Sequence, residues 1–187
     1  MTMNTVPQKY SVSVKEWHKM GKYNIFPPEV RIELIQGEMI EMAPIGPTHA
    51  CCVFNLIEIL STQKGKAAQI NVQNPIQLND LSEPEPDLLL LRPNPQLYQN
   101  GHPTAADILL LIEVSDSTIN YDRETKIPLY AKDGIVESWI VDLKAKQVEV
   151  YMSPTTQGYT EKRIFQPGEM LTPSLLPHIK IDVSDIL

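Results

Sequence analysis

The chain has 187 residues, 42% hydrophobic and 21% charged, which suits one globular domain that buries its core without disulfides or a structural metal. It contains no long apolar run, and its start, MTMNTVPQKYSVSVKEW, lacks a basic stretch followed by an apolar one, so no membrane span or secretory signal is expected and the expected location is cytoplasmic. The formal net charge of −7 argues against strong non-specific binding to nucleic acid but leaves room for a local basic groove, because charge acts through its placement.

Ser13-Val14-Lys15-Glu16 has the pattern of a capping box and opens a helix over Val14 to Met20, which Gly21 is expected to end. After Pro27-Pro28, the runs VRIELI and EMIEMA flank Gln36-Gly37 and read as a β-hairpin. Thr48 is the expected N-cap of a helix from His49 to about Gln63, whose inward face carries Cys52, Val53, Leu56, Ile57 and Leu60, with His49 at its start. The adjacent Cys51 and Cys52 lack the CxxC spacing of zinc sites and read as small core residues.

QINVQNPIQL follows as a strand in which Pro75 marks a bulge or an edge. The runs Asp87 to Arg92 and Asp107 to Val114 are continuously apolar, as strands covered on both faces are. A helix is expected from about Tyr121 to Lys132, bent or interrupted by Pro128 and ending near Gly134. ESWIVDL and QVEVYM pair around Lys144-Ala145-Lys146, and HIKIDV closes the chain as a strand. The order predicts an α/β protein of the α+β type, a mixed sheet flanked by helices, as a single domain over residues 1–187. Trp17 and Trp139 are assigned to the core or an interface.

Two acids adjoin the most apolar strands. Asp87 follows Pro86 and opens the first, and Glu113 lies near the end of the second. If these strands pair antiparallel with Asp87 opposite Glu113 and Arg92 opposite Ile108, both acids share one sheet face, with Cβ atoms about 4.5–5.5 Å apart. Two carboxylates that close need a proton or a cation between them, and hard oxygen ligands suit Mg²⁺ or Mn²⁺, the chemistry of phosphodiester hydrolysis. Lys126 on the next helix falls three residues after Arg123 and four before Tyr130, which places all three on one side, where a lysine could stabilise developing phosphate charge. Each residue has a plainer alternative: a solvated strand-end acid for Asp87 or Glu113, a surface lysine for Lys126.

With these residues in view, the chain resembles the Uma-two-like restriction endonuclease family of the PD-(D/E)xK nuclease superfamily. The resemblance is carried by IELIQGEMIEMAPIGPTHA, SEPEPDLLLLRP, ILLLIEVSDSTINYDRETKIPLYAKDGIVESWIVDL and VEVYMSP. It implies a restriction-endonuclease-like αβββαβ core, here preceded by a helix and a hairpin, and Mg²⁺-dependent hydrolysis of DNA. Pro86-Asp87 matches the superfamily's first acid and Glu113 its second. Glu113-Val114-Ser115 lacks the usual lysine two residues on, and Lys126 in DRETK matches a position relocated to the following helix. The catalytic set implied is Asp87, Glu113 and Lys126, with Asp87 and Glu113 holding the metal. His49, Glu38 and Tyr130 are possible supporting residues, with a helix-end histidine, a solvated carboxylate and sheet packing as their alternatives, and Asp122 reads as a helix-start charge.

An inactive or regulatory module on the same fold stays open, favoured by the acidic balance and the displaced lysine. Action on another phosphorylated substrate is a third reading, and no GxxxxGK loop supports it. DNA is the expected partner and a homodimer the expected state.

Overall fold

Leucine-rich strands organise the centre of this protein, whose computed structural model describes residues 8–187. The expectation about the chain's start falls partly on residues 1–7, outside the described residues. Helix α1 (Val14–Lys22) starts at the expected capping box, with Ser13 and Glu16 satisfying each other's backbone N–H groups. It continues through Gly21 rather than ending there, with Tyr23 as its C-cap. Strands β1 (Ile32–Ile35) and β2 (Glu38–Glu41) form the expected antiparallel hairpin. Gln36 (φ 51°) and Gly37 (φ 79°) both lie in the left-handed region that a two-residue hairpin turn requires. A Cβ on Gly37 would also meet Ser11 Cβ at 2.6 Å.

Helix α2 (Pro47–Gln63) begins two residues before the expected start. Its N-cap is Gly46, which makes no side-chain capping bond, and Thr48 lies inside the first turn. Pro47 explains the shift, since proline is pre-set for the first helical position and has no N–H to leave unsatisfied. Cys52, Val53, Leu56 and Leu60 are buried, as the helical spacing predicts. Cys51 is exposed, contrary to its core assignment, because it falls on the opposite side of the helix from those residues. Burial pushes the Cys52 thiol up to about 12, which leaves it inert.

Strands β3 (Gln69–Val72), β4 (Leu88–Leu91), β5 (Ile108–Ser115), β6 (Glu137–Asp142), β7 (Gln147–Thr155) and β8 (Gly158–Phe165) form one mixed sheet in that order. The β5–β6 pair is parallel and the other neighbours are antiparallel. Every residue of β4 and β5 is buried. On one face, α2 packs Cys52, Leu56 and Leu60 against Leu88, Leu90 and Ile112. On the other, Leu89, Leu91 and Leu111 meet Ile127 and Tyr130.

The β4–β5 register holds as expected from Leu88↔Ile112 to Leu90↔Leu110, then slips so that Leu91, not Arg92, lies opposite Ile108. Arg92 N–H instead reaches the Asp107 carbonyl at 2.7 Å, beyond the irregularity. Strand β3 ends at Val72, so Pro75 lies outside the sheet rather than in a bulge. Strand β8 was not expected from sequence. Most of its residues are exposed and its middle carries Glu161, Lys162 and Arg163, as suits an edge strand, and it shows no apolar run. The tail HIKIDV contributes only β10 (Ile181–Asp182), paired with β9 (Met170–Leu171).

Between β5 and β6 the chain forms α3 (Ile119–Tyr121), a π-helical turn (Asp122–Lys126) and α4 (Ile127–Lys132). The Ile127 N–H bonds the Asp122 carbonyl five residues back, immediately before Pro128, which has no N–H to continue an α-helical ladder. This widened turn corrects the expectation that Arg123 shares a side with Lys126 and Tyr130. Arg123 points instead to β6 and β7, donating to Asp142 at 2.8 Å and to the two Glu149 oxygens at 3.1 and 2.7 Å.

Burial disfavours the Glu149 carboxylate, but hydrogen bonds from Arg123, Tyr151 and Lys162 outweigh it and hold its pKa below the usual value of 4.5. A depressed folded value means this stabilisation is present above pH 4.5 and is lost as pH falls through the folded pKa. Urea unfolding over a pH series is therefore expected to show a shallower acid-side loss of stability in Glu149→Gln than in the wild type.

Candidate active site

Asp87 stands immediately before β4, and Glu113 lies near the end of β5. Extending the register from Leu88↔Ile112 by one step sets Asp87 opposite Glu113, on the sheet face of Leu89 and Leu111. Both acids line one cleft at this end of the sheet, together with Glu33, His49, Tyr121 and Asp122.

Asp87 is held by three donors. Its Oδ2 accepts from Val114 N–H at 2.9 Å and contacts His49 Nε2 at 3.1 Å, and its Oδ1 accepts from the Gln73 side chain at 3.1 Å. Burial pushes the Asp87 pKa up, but these bonds prevail and hold it below the ordinary value. The hydrogen bond to Asp87 in turn raises the His49 pKa against burial. His49 Nδ1 and the Tyr121 hydroxyl are buried and have no hydrogen-bond partner among the described residues. Unpaired buried polar atoms are costly, and both of these lie in the wall of this cleft.

Glu113 is oriented from behind. Tyr130 donates to its Oε1 at 2.5 Å and Lys126 Nζ approaches the same oxygen at 3.3 Å. Lys126 also pairs with Glu33 at 3.1 Å and is itself buried. Burial pushes the Glu113 carboxyl up to about 8, with Asp122 and Asp87 adding to the effect and Lys126 opposing it. Burial works against the Lys126 charge, but Glu113, Glu33 and Asp122 outweigh it and hold the ammonium protonated. Burial and the neighbouring Glu113 also keep the Tyr130 phenol protonated, as its donor role needs.

Asp87 and His49 form one hydrogen-bonded pair, Glu113, Lys126 and Tyr130 form a second set, and Asp87, His49 and Glu113 line the same cleft. Glu38 stays outside it, exposed near the hairpin turn and paired with Lys9 at 2.9 Å. The hairpin's buried acid is Glu33. The sequence signal for it is an acid enclosed by Ile32 and Leu34 in a short apolar strand. Asp122 is a buried wall residue that accepts from Ser115 and Thr118, not a solvated helix-start charge.

The donor set suits a hard divalent cation. Mg²⁺ is commonly held by one or two carboxylates and completes its shell with water and phosphate oxygens, and Asp87 and Glu113 supply two such groups at the cleft wall. The adjoining acids give the cleft an excess of negative charge that a cation would relieve.

The Uma2 family model, described as "Putative restriction endonuclease", matches residues 15–184. The chain belongs to this family. A crystal structure of "a putative nuclease belonging to DUF820 from Anabaena variabilis" superimposes on this Uma2-family chain with a TM-score of 0.72 and 18% identity, covering 94% of this chain and 97% of the other. That likeness shows the fold, a mixed sheet with flanking helices in the nuclease arrangement, and the stretch from α2 to β6 follows the expected αβββαβ order. No curated protein matches the chain. Among the described residues, no helix is long and apolar enough to cross a membrane.

Proposed function

We propose that this Uma2-family chain is a Mg²⁺- or Mn²⁺-dependent endodeoxyribonuclease that hydrolyses DNA phosphodiester bonds. The observation that carries the reading is the placement of Asp87 and Glu113 on one sheet face and in one cleft, with Lys126 and Tyr130 fixed on Glu113. Asp87 and Glu113 would hold the ion. A bound divalent ion would supply Lewis-acid polarisation of the phosphate and a more acidic water.

The protein's own groups do the rest. Gln73, Val114 and His49 fix the Asp87 carboxylate, so little reorganisation is needed when it binds. Tyr130 and Lys126 orient Glu113, and the Lys126 ammonium places positive charge behind the site, where it offsets charge developing on the phosphate. His49 keeps Nε2 on Asp87 and so helps hold that carboxylate in place.

A specific observation favours a second reading, that of a binding or regulatory module. Lys126 is enclosed between Glu33 and Glu113 and is not among the residues lining the cleft. Incubation of plasmid DNA with the protein and Mg²⁺ or Mn²⁺ decides between them. Nicked or linear product from the wild type and none from Asp87→Ala is the expected result. Identical products from both would overturn the catalytic assignment, and intact plasmid in both would favour the module.

The same proposal treats the chain as one domain acting in the cytoplasm. Cleavage of both DNA strands calls for two sites, so a homodimer is expected. Light scattering at micromolar concentration checks this, and a monomer mass would count against it.

A further inference from the structure

Away from the cleft, three segments distant in sequence bring together His18 on α1, Glu83 on the stretch that bridges β1, and His102 in the loop before β5. One ligand atom from each lies within 4.8 Å of the other two. We propose that these three side chains form a second metal site, for Zn²⁺ or a similar borderline transition ion, independent of the proposed nuclease centre.

The buried carboxylate is the first reason. Glu83 is 3% exposed, and its two oxygens contact the same atom, His18 Nε2, at 2.9 and 2.8 Å. A carboxylate has about four lone-pair sites, and one imidazole N–H cannot fill them. A buried carboxylate needs a cation or several donors to offset its lost hydration. His102 supplies the second imidazole, its ring centroid 6.1 Å from that of His18 and inclined to it by 65°.

The donor set itself is the second reason. Two imidazoles and one carboxylate form a recognised zinc ligand set that leaves a fourth position to water. A tetrahedral ion with bonds of about 2.0–2.1 Å spaces its ligand atoms roughly 3.3 Å apart, so small side-chain shifts suffice here. Imidazole nitrogen also selects against Mg²⁺, which prefers oxygen, so the two centres differ in the ions they take.

The backbone around the group is tied down. Glu83 and Leu34 exchange backbone hydrogen bonds at 2.8 and 3.4 Å, and Pro103 O, next to His102, accepts from Gln77 N–H at 2.9 Å. His18 rides on the capped helix α1. An ion here would join α1, the segment beside β1 and the loop before β5 in one clamp.

The test is a titration of metal-free protein near neutral pH with Zn²⁺ by calorimetry and with Co²⁺ by visible absorption. A tetrahedral Co²⁺ spectrum and an equivalent of Zn²⁺ that persists when the cleft acids are substituted are expected. His18→Ala and His102→Ala should each weaken binding by at least about tenfold, whereas Asp87→Ala should leave it unchanged. His102 is exposed on a loop, so its substitution leaves core packing intact. Absence of binding at millimolar metal, or a tetrahedral Co²⁺ spectrum that survives both histidine substitutions, would overturn the proposal. Loss of binding in Asp87→Ala alone would place the ion in the cleft and overturn it as well. Because Mn²⁺ binding and DNA cleavage are read separately, failure here does not bear on the nuclease reading.

Discussion

Mn²⁺ binding measured by calorimetry is expected to fall at least about a hundredfold in Asp87→Asn and again in Glu113→Gln, with DNA cleavage falling in step. Loss of a group that merely orients a metal ligand costs about 10–100-fold in affinity or activity, and loss of a ligand itself should cost no less. Both substitutions keep shape, and each exchanges one acceptor oxygen for a donor NH2. The amide oxygen introduced in Asp87→Asn could still accept from Val114 N–H or from Gln73, and that introduced in Glu113→Gln from Tyr130, so the scaffold should persist. Circular dichroism and melting temperature provide the check. A variant that keeps wild-type Mn²⁺ affinity while losing cleavage would show that its carboxylate acts on substrate rather than on the ion. Wild-type affinity and wild-type cleavage in both variants would remove the proposed centre altogether.

Much of the fold was legible because a few local rules dominate it. The apolar runs of β4 and β5 announce a buried sheet centre, the Gln36-Gly37 pair announces the hairpin, and Ser13 with Glu16 announces α1. The misses have physical causes. Strand β8 packs as an edge, so its sequence carries charges where a central strand carries leucines. Helix α2 starts at Pro47 because a missing N–H can replace a side-chain cap at that position. The slip at Leu90 and Leu91 depends on where Arg92 and Asp107 find backbone partners, which no hydrophobic pattern encodes.

Two acids of the candidate cleft were legible in the sequence, and their surroundings less so. Pro86-Asp87 and Glu113 stand out against apolar neighbours, and a shared register is enough to bring them together. Glu33 and Asp122 were not picked out because their burial is long-range. Glu33 is enclosed by Lys126 from the helix after β5, and Asp122 turns inward at a π-helical turn that spacing rules for ordinary helices misphase. The same misphasing assigned Arg123 to the wrong side. His49 reached Asp87 because the helix face that buries Leu56 also carries its first turn to the mouth of the sheet.

Lys126→Met should then prove costly to stability, and more so as pH rises. The side chain is 7% exposed and lies 3.1 Å from Glu33 and 3.3 Å from Glu113, so its loss leaves two buried carboxyl groups without their shared cation. Breaking a buried pair from one side costs about 3–5 kcal/mol, which for a chain of this size lowers the melting temperature on the order of 10 °C. Below about pH 8 Glu113 already carries a proton, since burial pushes it up that far, and removal of Lys126 extends this range upward. A carboxyl raised above its unfolded value of 4.5 is favourable below that value and loses its contribution as pH climbs through the folded value. The variant should therefore lie closer to wild type at mildly acid pH than at alkaline pH. Adding Glu33→Gln to Lys126→Met should recover part of the loss, because it removes the second stranded charge while keeping an acceptor for the Glu85 N–H. Thermal melts of the three proteins at two pH values test this directly. If Lys126→Met matches the wild type at both, Lys126 is not the internal counter-ion on which the geometry of Glu113 depends.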